Sequence, residues 1–150
     1  MEHNNFQRVG ASSNTAVGRD FEDAAHDFLA RSGLNLRRDF ALPIGYKVKK
    51  VHRFDFGAEA PPVLVECKSY TWTAGGNSPS AKIRGMNEVL LHFSVAPARF
   101  RKIMLLLKHL HQRTNQSLAA HYLRTQAHLI GPDVEVWELD VDTGEGGRLL

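Results

Sequence analysis

Apolar residues early in the chain recur at helical spacing. Val17, Phe21, Ala24, Ala25, Phe28 and Leu29 fall on one side of a 3.6-residue repeat. This spacing predicts a helix starting near Ala16, with Asn14 or Thr15 as its cap and Gly33 just beyond its last turn. A β-rich stretch follows. Residues 34–42 form one predicted strand, closed off by Pro43 and Gly45, and residues 46–56 and 63–70 form two more. The segment 57–62 (GAEAPP) is loop chemistry that joins the last two as an antiparallel hairpin. Residues 71–80 contain Gly75-Gly76-Asn77 and Pro79 and read as a long loop. Ile83, Met86, Leu90 and Phe93 then repeat at helical spacing, predicting a helix over 81–95 that ends before Pro97. The run 102–107 suits a central strand buried on both faces. A third helix is expected over 116–129, with Leu118, Tyr122 and Leu129 on its apolar side, and a last strand over 134–139. The predicted order is αβββαβαβ, an α/β fold with a mixed sheet flanked by helices.

Composition narrows the class without changing this outline. The 150 residues are 43% hydrophobic and 23% charged, which suits one globular domain, here 16–150 behind a flexible polar lead-in at 1–15. The single cysteine excludes an internal disulfide and a Cys-x-x-Cys zinc pair, and it fits a reducing, cytoplasmic setting. The longest strongly apolar run, 103–107, is far short of a membrane span, and no secretory signal is visible. Net charge is +3, but residues 31–53 carry +6 and residues 133–150 carry −5. Clustered cations of this kind suit a polyanion partner as well as an ordinary solvated strand face.

Chemistry concentrates in two strands. Side chains alternate along a strand, so Glu66 and Lys68 point the same way, about 6.6 Å apart, while Val63, Val65 and Cys67 take the other side. Asp55 lies between Phe54 and Phe56 and is expected to face away from both. A hairpin pairing of the two strands then brings Asp55, Glu66 and Lys68 together. Hard cations such as Mg²⁺ bind through one or two carboxylates while keeping waters and holding phosphate oxygens. The Cys67 carbonyl, between Glu66 and Lys68, offers a further oxygen. The plain alternative is an exposed ion pair between Glu66 and Lys68, which is worth little.

Asp55, a ten-residue gap and then Glu66-Cys67-Lys68 resemble the core motif of the PD-(D/E)XK nuclease superfamily. The order of elements resembles its αβββαβ core, and Gly18-Arg19-Asp20-Phe21-Glu22 is similar to the Gly-x-x-x-Glu of its first helix. The likeness covers about residues 16–107. It implies a restriction-endonuclease-like fold and hydrolysis of DNA phosphodiester bonds with Mg²⁺ or Mn²⁺. By the same resemblance Asp55 and Glu66 are metal ligands, Lys68 the catalytic lysine and Glu22 an auxiliary ligand. Phe54 stands where the motif's name has proline, a position that varies widely. No Gln-x-x-x-Tyr pattern follows on the second helix, so the exonuclease-like branch is not supported.

Other residues fit this picture with plain explanations beside them. Arg37, Arg38, Lys47, Lys49, Lys50 and Arg53, with His52 interleaved, form the best phosphate-contact set. Lys82, Arg84 and Asn87 open the second helix and could hold a phosphate, although solubility explains them equally. A solvated helix face accounts for Glu22 nearly as well as a metal site does. Trp72 could stack on a base, but filling the core is the better account. His109, His111, His121 and His128 lack paired ligand spacing and read as surface or helix-end residues. Three functions stay open: a DNA endonuclease working as a homodimer, a module on the same fold that binds DNA or RNA without cutting, and a protein-interaction domain.

Overall fold

A computed structural model describes the backbone of residues 11–150 and the side chains of residues 17–150. Six strands form one mixed sheet in sequence order: β1 (Arg37–Ile44), β2 (Lys50–Glu59), β3 (Pro62–Lys68), β4 (Arg101–Leu107), β5 (Val134–Leu139) and β6 (Gly146–Arg148). The pairs β1/β2, β2/β3 and β5/β6 are antiparallel, whereas β3/β4 and β4/β5 are parallel. Each parallel pair is bridged by a helical crossover, as its geometry demands. These are α2 (Ser80–Ser94) and α3 (Leu118–Gln126), the latter continuing into a 3₁₀ turn at Ala127–Leu129. The N-terminal helix is α1 (Ala11–Arg31). No described helix is long and apolar enough to cross a membrane.

Two cores sandwich the sheet. Phe21, Ala25, Phe28 and Leu29 of α1 pack on Phe56, Val63, Val65, Cys67, Ile103, Leu105, Leu107 and Leu139. On the opposite face Met86, Val89, Leu90 and Phe93 of α2, with Ala119 and Tyr122 of α3, cover Phe40, Leu42, Phe54, Leu64, Met104, Leu106 and Val136. Strands β3 and β4 are therefore buried on both sides, which is why both read as nearly continuous apolar runs. Each large side chain held there contributes roughly 1.5–3 kcal/mol.

Several boundaries differ from expectation, for identifiable reasons. Helix α1 begins at Ala11, so Asn14 and Thr15 lie inside it rather than capping it, and only residues 1–10 of the expected lead-in fall outside the described residues. Strand β1 runs on through Pro43, which pairs with Val51. A proline is tolerated there because β1 is an edge strand. Strand β2 starts at Lys50 rather than residue 46 and continues to Glu59, so the hairpin turn to β3 is only Ala60-Pro61. Ser117 caps α3 by accepting a hydrogen bond from the Ala120 N–H (3.0 Å). Strand β6, short and glycine-rich, carries no apolar alternation and was not expected.

One departure bears on the site. Phe54 and Phe56 are two residues apart on β2, yet they belong to cores on opposite sides of the sheet. Asp55 is therefore not simply opposite a shared aromatic face, as regular alternation predicted. On β1, Arg38 lies over the Phe56 ring while Phe40 joins the other core, and Asp39 between them has φ +54°. Pairing keeps one register on both sides of this level, with Arg38↔Phe56 and Phe40↔Phe54. The two strands thus turn over together, at Asp39 and Asp55. Gly57 is needed beside this twist: a Cβ there would lie 2.5 Å from the Phe40 ring.

Candidate active site

The β2/β3 ladder stops at Phe56↔Val65. One step further, the Cys67 N–H donates to Asp55 Oδ2 at 2.7 Å, so a side chain takes over where the backbone ladder ends. Asp55 is thereby fixed at the point where the strands part. The N–H and C=O of a strand residue point to the same neighbour, so the Cys67 carbonyl faces this gap too. Its thiol points to the α1 core and is free, and burial pushes its pKa well up.

Glu66 is the unusual member. Only 7% exposed, it lies in hydrogen-bonding contact with Asp55. Burial first, then the charge of Asp55, push its carboxyl up to about 9, against a smaller opposing pull from Lys68. Its Oε1 lies 2.8 Å from His52 Nε2. Burial and the neighbouring His92 hold His52 below the usual imidazole range, so this contact is a hydrogen bond of a neutral ring rather than an ion pair. The rings of His52 and His92 are 4.2 Å apart, which ties the arrangement to α2. From the other face, Glu22 of α1 is raised by burial and by Asp55, with Arg38 opposing. Glu22, Asp55, Glu66 and Lys68 thus share one electrostatic neighbourhood.

Among the described residues, no three His, Cys, Asp or Glu side chains close around one point as metal ligands. Asp55 and Glu66 touch, and Glu22 is coupled to Asp55 through charge. In type the donors fit a hard divalent cation, being carboxylates assisted by a carbonyl. The raised Glu66 carboxyl marks a place where a second negative charge is disfavoured, which a divalent cation would relieve.

Lys68 extends the site toward α2. Its Nζ lies 5.8 Å from the Tyr70 ring centroid, and Lys82 Nζ lies at the same distance. Tyr70 sits close over α2 because residue 85 is glycine: a Cβ there would be 2.4 Å from the Tyr70 hydroxyl. Lys82, half-buried, is lowered by burial. The structure therefore brings this phosphate candidate to the same ring as the motif lysine, while Arg84 stays exposed.

The remaining candidates scatter. Arg38 pairs with Asp23 (2.8 Å) and Arg53 with Asp39 (2.9 Å), whereas Arg37 lies over Phe40. Lys47, Lys49 and Lys50 are exposed at the β1–β2 connection. Asn87 does not offer itself to a phosphate: it accepts from the Tyr122 hydroxyl (2.9 Å) and donates to Gln126 (3.1 Å), joining α2 to α3. Trp72, 8% exposed, packs between His111 and His121 and donates to the Gln116 carbonyl, so it is not placed to stack on a base.

His111 is also not the surface residue expected. It is buried, its Nδ1 accepts from the Arg113 and Thr114 N–H groups, and its Nε2–H donates to the Gly76 carbonyl (2.9 Å). His109 Nδ1 accepts from the Trp72 N–H (3.0 Å), and His121 contacts Ser78. Three histidines thus brace the long loop after β3.

His52, His92 and Tyr70 are the neighbours that spacing alone did not single out. A histidine three positions before Asp55 was a signal, but only the parting of β2 from β3 sets it against Glu66. No family model, curated protein or solved structure matches the chain.

Proposed function

We propose that the chain is a metal-dependent endonuclease of the PD-(D/E)XK type, with a restriction-endonuclease-like fold, hydrolysing DNA phosphodiester bonds. One observation carries this reading. A buried glutamate whose ionisation is disfavoured by burial and by a neighbouring aspartate stands with a lysine two residues on, a crowding of negative charge that a divalent cation would relieve. Structural carboxylates are normally paired with cations or exposed.

Asp55, Glu66 and the Cys67 carbonyl would hold Mg²⁺ or Mn²⁺, with Glu22 as an auxiliary donor. A divalent ion there supplies Lewis acidity to water and charge neutralisation to the phosphate. The chain's own groups do the rest. Lys68 orients the water for in-line attack on phosphorus: a P–O bond forms to the water oxygen, the P–O bond to the leaving sugar oxygen breaks, the water proton passes to solvent, and the leaving oxygen takes a proton back from solvent. His52 positions the Glu66 carboxyl through its 2.8 Å contact. Lys82, sharing the Tyr70 ring with Lys68, steadies the phosphate. A homodimer would present two such sites to the two strands of a duplex, and a cytoplasmic setting belongs to the same reading.

The second reading is a module that binds nucleic acid without cutting it. It is favoured by the basic β1–β2 connection, which is exposed and needs no metal. Plasmid, linear and branched DNA incubated with Mg²⁺ or with EDTA separates the two. Cleavage should require the metal and vanish in Asp55→Ala and Lys68→Ala, with DNA binding largely intact. Unchanged cleavage by both variants refutes this assignment.

A further inference from the structure

The connection between β1 and β2 is built to be exposed. The last ladder pair is Ile44↔Lys50, which leaves a tight turn at 45–49. Gly45 sits at φ +131°, and a Cβ there would fall 2.1 Å from the Val48 carbonyl oxygen, so only glycine closes this turn. The Gly45 N–H donates to the Val95 carbonyl (3.0 Å), and the Lys49 ammonium donates back to the Gly45 carbonyl. The tip is therefore pinned to the end of α2 rather than free.

What it displays does not suit a solvated turn. Tyr46 is 78% exposed, Val48 82% and Val51 57%, interleaved with the exposed Lys47, Lys49 and Lys50. An aromatic ring set among lysines, with no acid between residues 45 and 51, matches a polyanion that also offers flat apolar faces. A base offers its face only when unpaired.

The tip is also aimed. Lys50 precedes His52, the Glu66 neighbour, by two residues on the same strand, about 6.6 Å of rise. Asp55 lies roughly 13 Å beyond Val51. A strand whose base meets Tyr46 thus runs toward the carboxylates within a few nucleotides.

We infer that Tyr46, with Lys47, Lys49 and Lys50, forms a stacking clamp for an unpaired base, directing the site to single-stranded or forked nucleic acid. This rests on the nuclease reading for the scissile bond, but binding can be measured without cleavage.

The test uses the full chain in EDTA, with fluorescence anisotropy on a labelled single strand, a duplex of the same sequence and a splayed fork, across a salt series. Wild type should favour the single strand and fork. Tyr46→Ala should weaken both about tenfold, and Tyr46→Phe should stay within about twofold of wild type, with duplex binding little changed. Replacing all three lysines by alanine should reduce the slope of log affinity against log salt by about 2. Equal affinities for wild type and Tyr46→Ala, or no binding by wild type, overturn the clamp. So does a Tyr46-dependent affinity confined to phosphatidylserine vesicles, which would make the tip a membrane contact. Plasmid cleavage in Mg²⁺ keeps the two ideas apart. Asp55-dependent cutting with a Tyr46-independent affinity removes the clamp alone, whereas a Tyr46-dependent affinity without cutting removes the nuclease alone.

Discussion

Two buried glutamates, two strands apart in one sheet, meet opposite fates. Glu135 on β5 accepts from Arg101 Nε and Nη2 (both 2.9 Å), from the Trp137 indole (2.8 Å) and from Arg148 (3.1 Å). Burial alone would raise its pKa, but these donors, led by Arg101, outweigh it and hold the carboxyl below its ordinary range. Glu66 has burial of the same kind, yet its close polar neighbours are a neutral imidazole and another carboxylate. One site has been neutralised by the fold and stitches β4, β5 and β6 together. The other has been left with a deficit of positive charge. Such a deficit at the end of a central strand is what the proposed metal site would use.

Catalysis gives the sharpest break between the two. Lys68→Ala should lower cleavage roughly 10²- to 10⁴-fold, whereas Glu135→Gln should leave it nearly unchanged. Initial rates on plasmid DNA decide this. Stability should respond in the reverse order. Glu135→Ala should cost about 1–3 kcal/mol, because charged hydrogen bonds are lost and both arginines, themselves partly exposed, are left unpaired. Glu66→Gln should stabilise the metal-free protein at pH 8, raising Tm by on the order of 5 °C. A Glu66→Gln variant that melts below wild type in EDTA would show that the carboxyl is not under repulsion.

The pH dependence carries opposite signs. Glu135 is depressed in the fold, so its contribution is present above the ordinary value of 4.5 and is lost as pH falls through the folded value. Glu66 is raised, so folding takes up a proton, and stability declines as pH rises from 4.5 toward about 9. Melting curves of the two Gln variants should therefore flatten the acid limb and the alkaline limb respectively. Mg²⁺ at ten times its Kd should add about 1.4 kcal/mol to wild type and much less to Glu66→Gln, measured by thermal shift with and without chelator. The smallest effect belongs to the surface. Arg53→Ala breaks an exposed pair with Asp39 and should shift stability by less than about 1 kcal/mol.

Much of this layout was legible in the residues. The buried runs of β3 and β4, the helical spacing of Ile83, Met86, Leu90 and Phe93, and the Asp55…Glu66-x-Lys68 pattern all follow from period and chemistry. Strand ends were less legible. Tyr46 and Val48 look like strand residues, yet Gly45 and its contact with Val48 place them in an exposed turn. His111 and Trp72 look like separate polar and apolar choices until the loop after β3 sets their rings 4.9 Å apart.

Periodicity dictated which residues are buried and which elements they build, because burial of one face is a local property of a helix or strand. Tertiary structure alone decided that Phe54 and Phe56 serve opposite cores, that Asp55 replaces a ladder carbonyl at Cys67, and that His52 meets Glu66. Each depends on where β2 leaves β3, and that parting comes from the combined twist and packing of both strands rather than from the residues of either one.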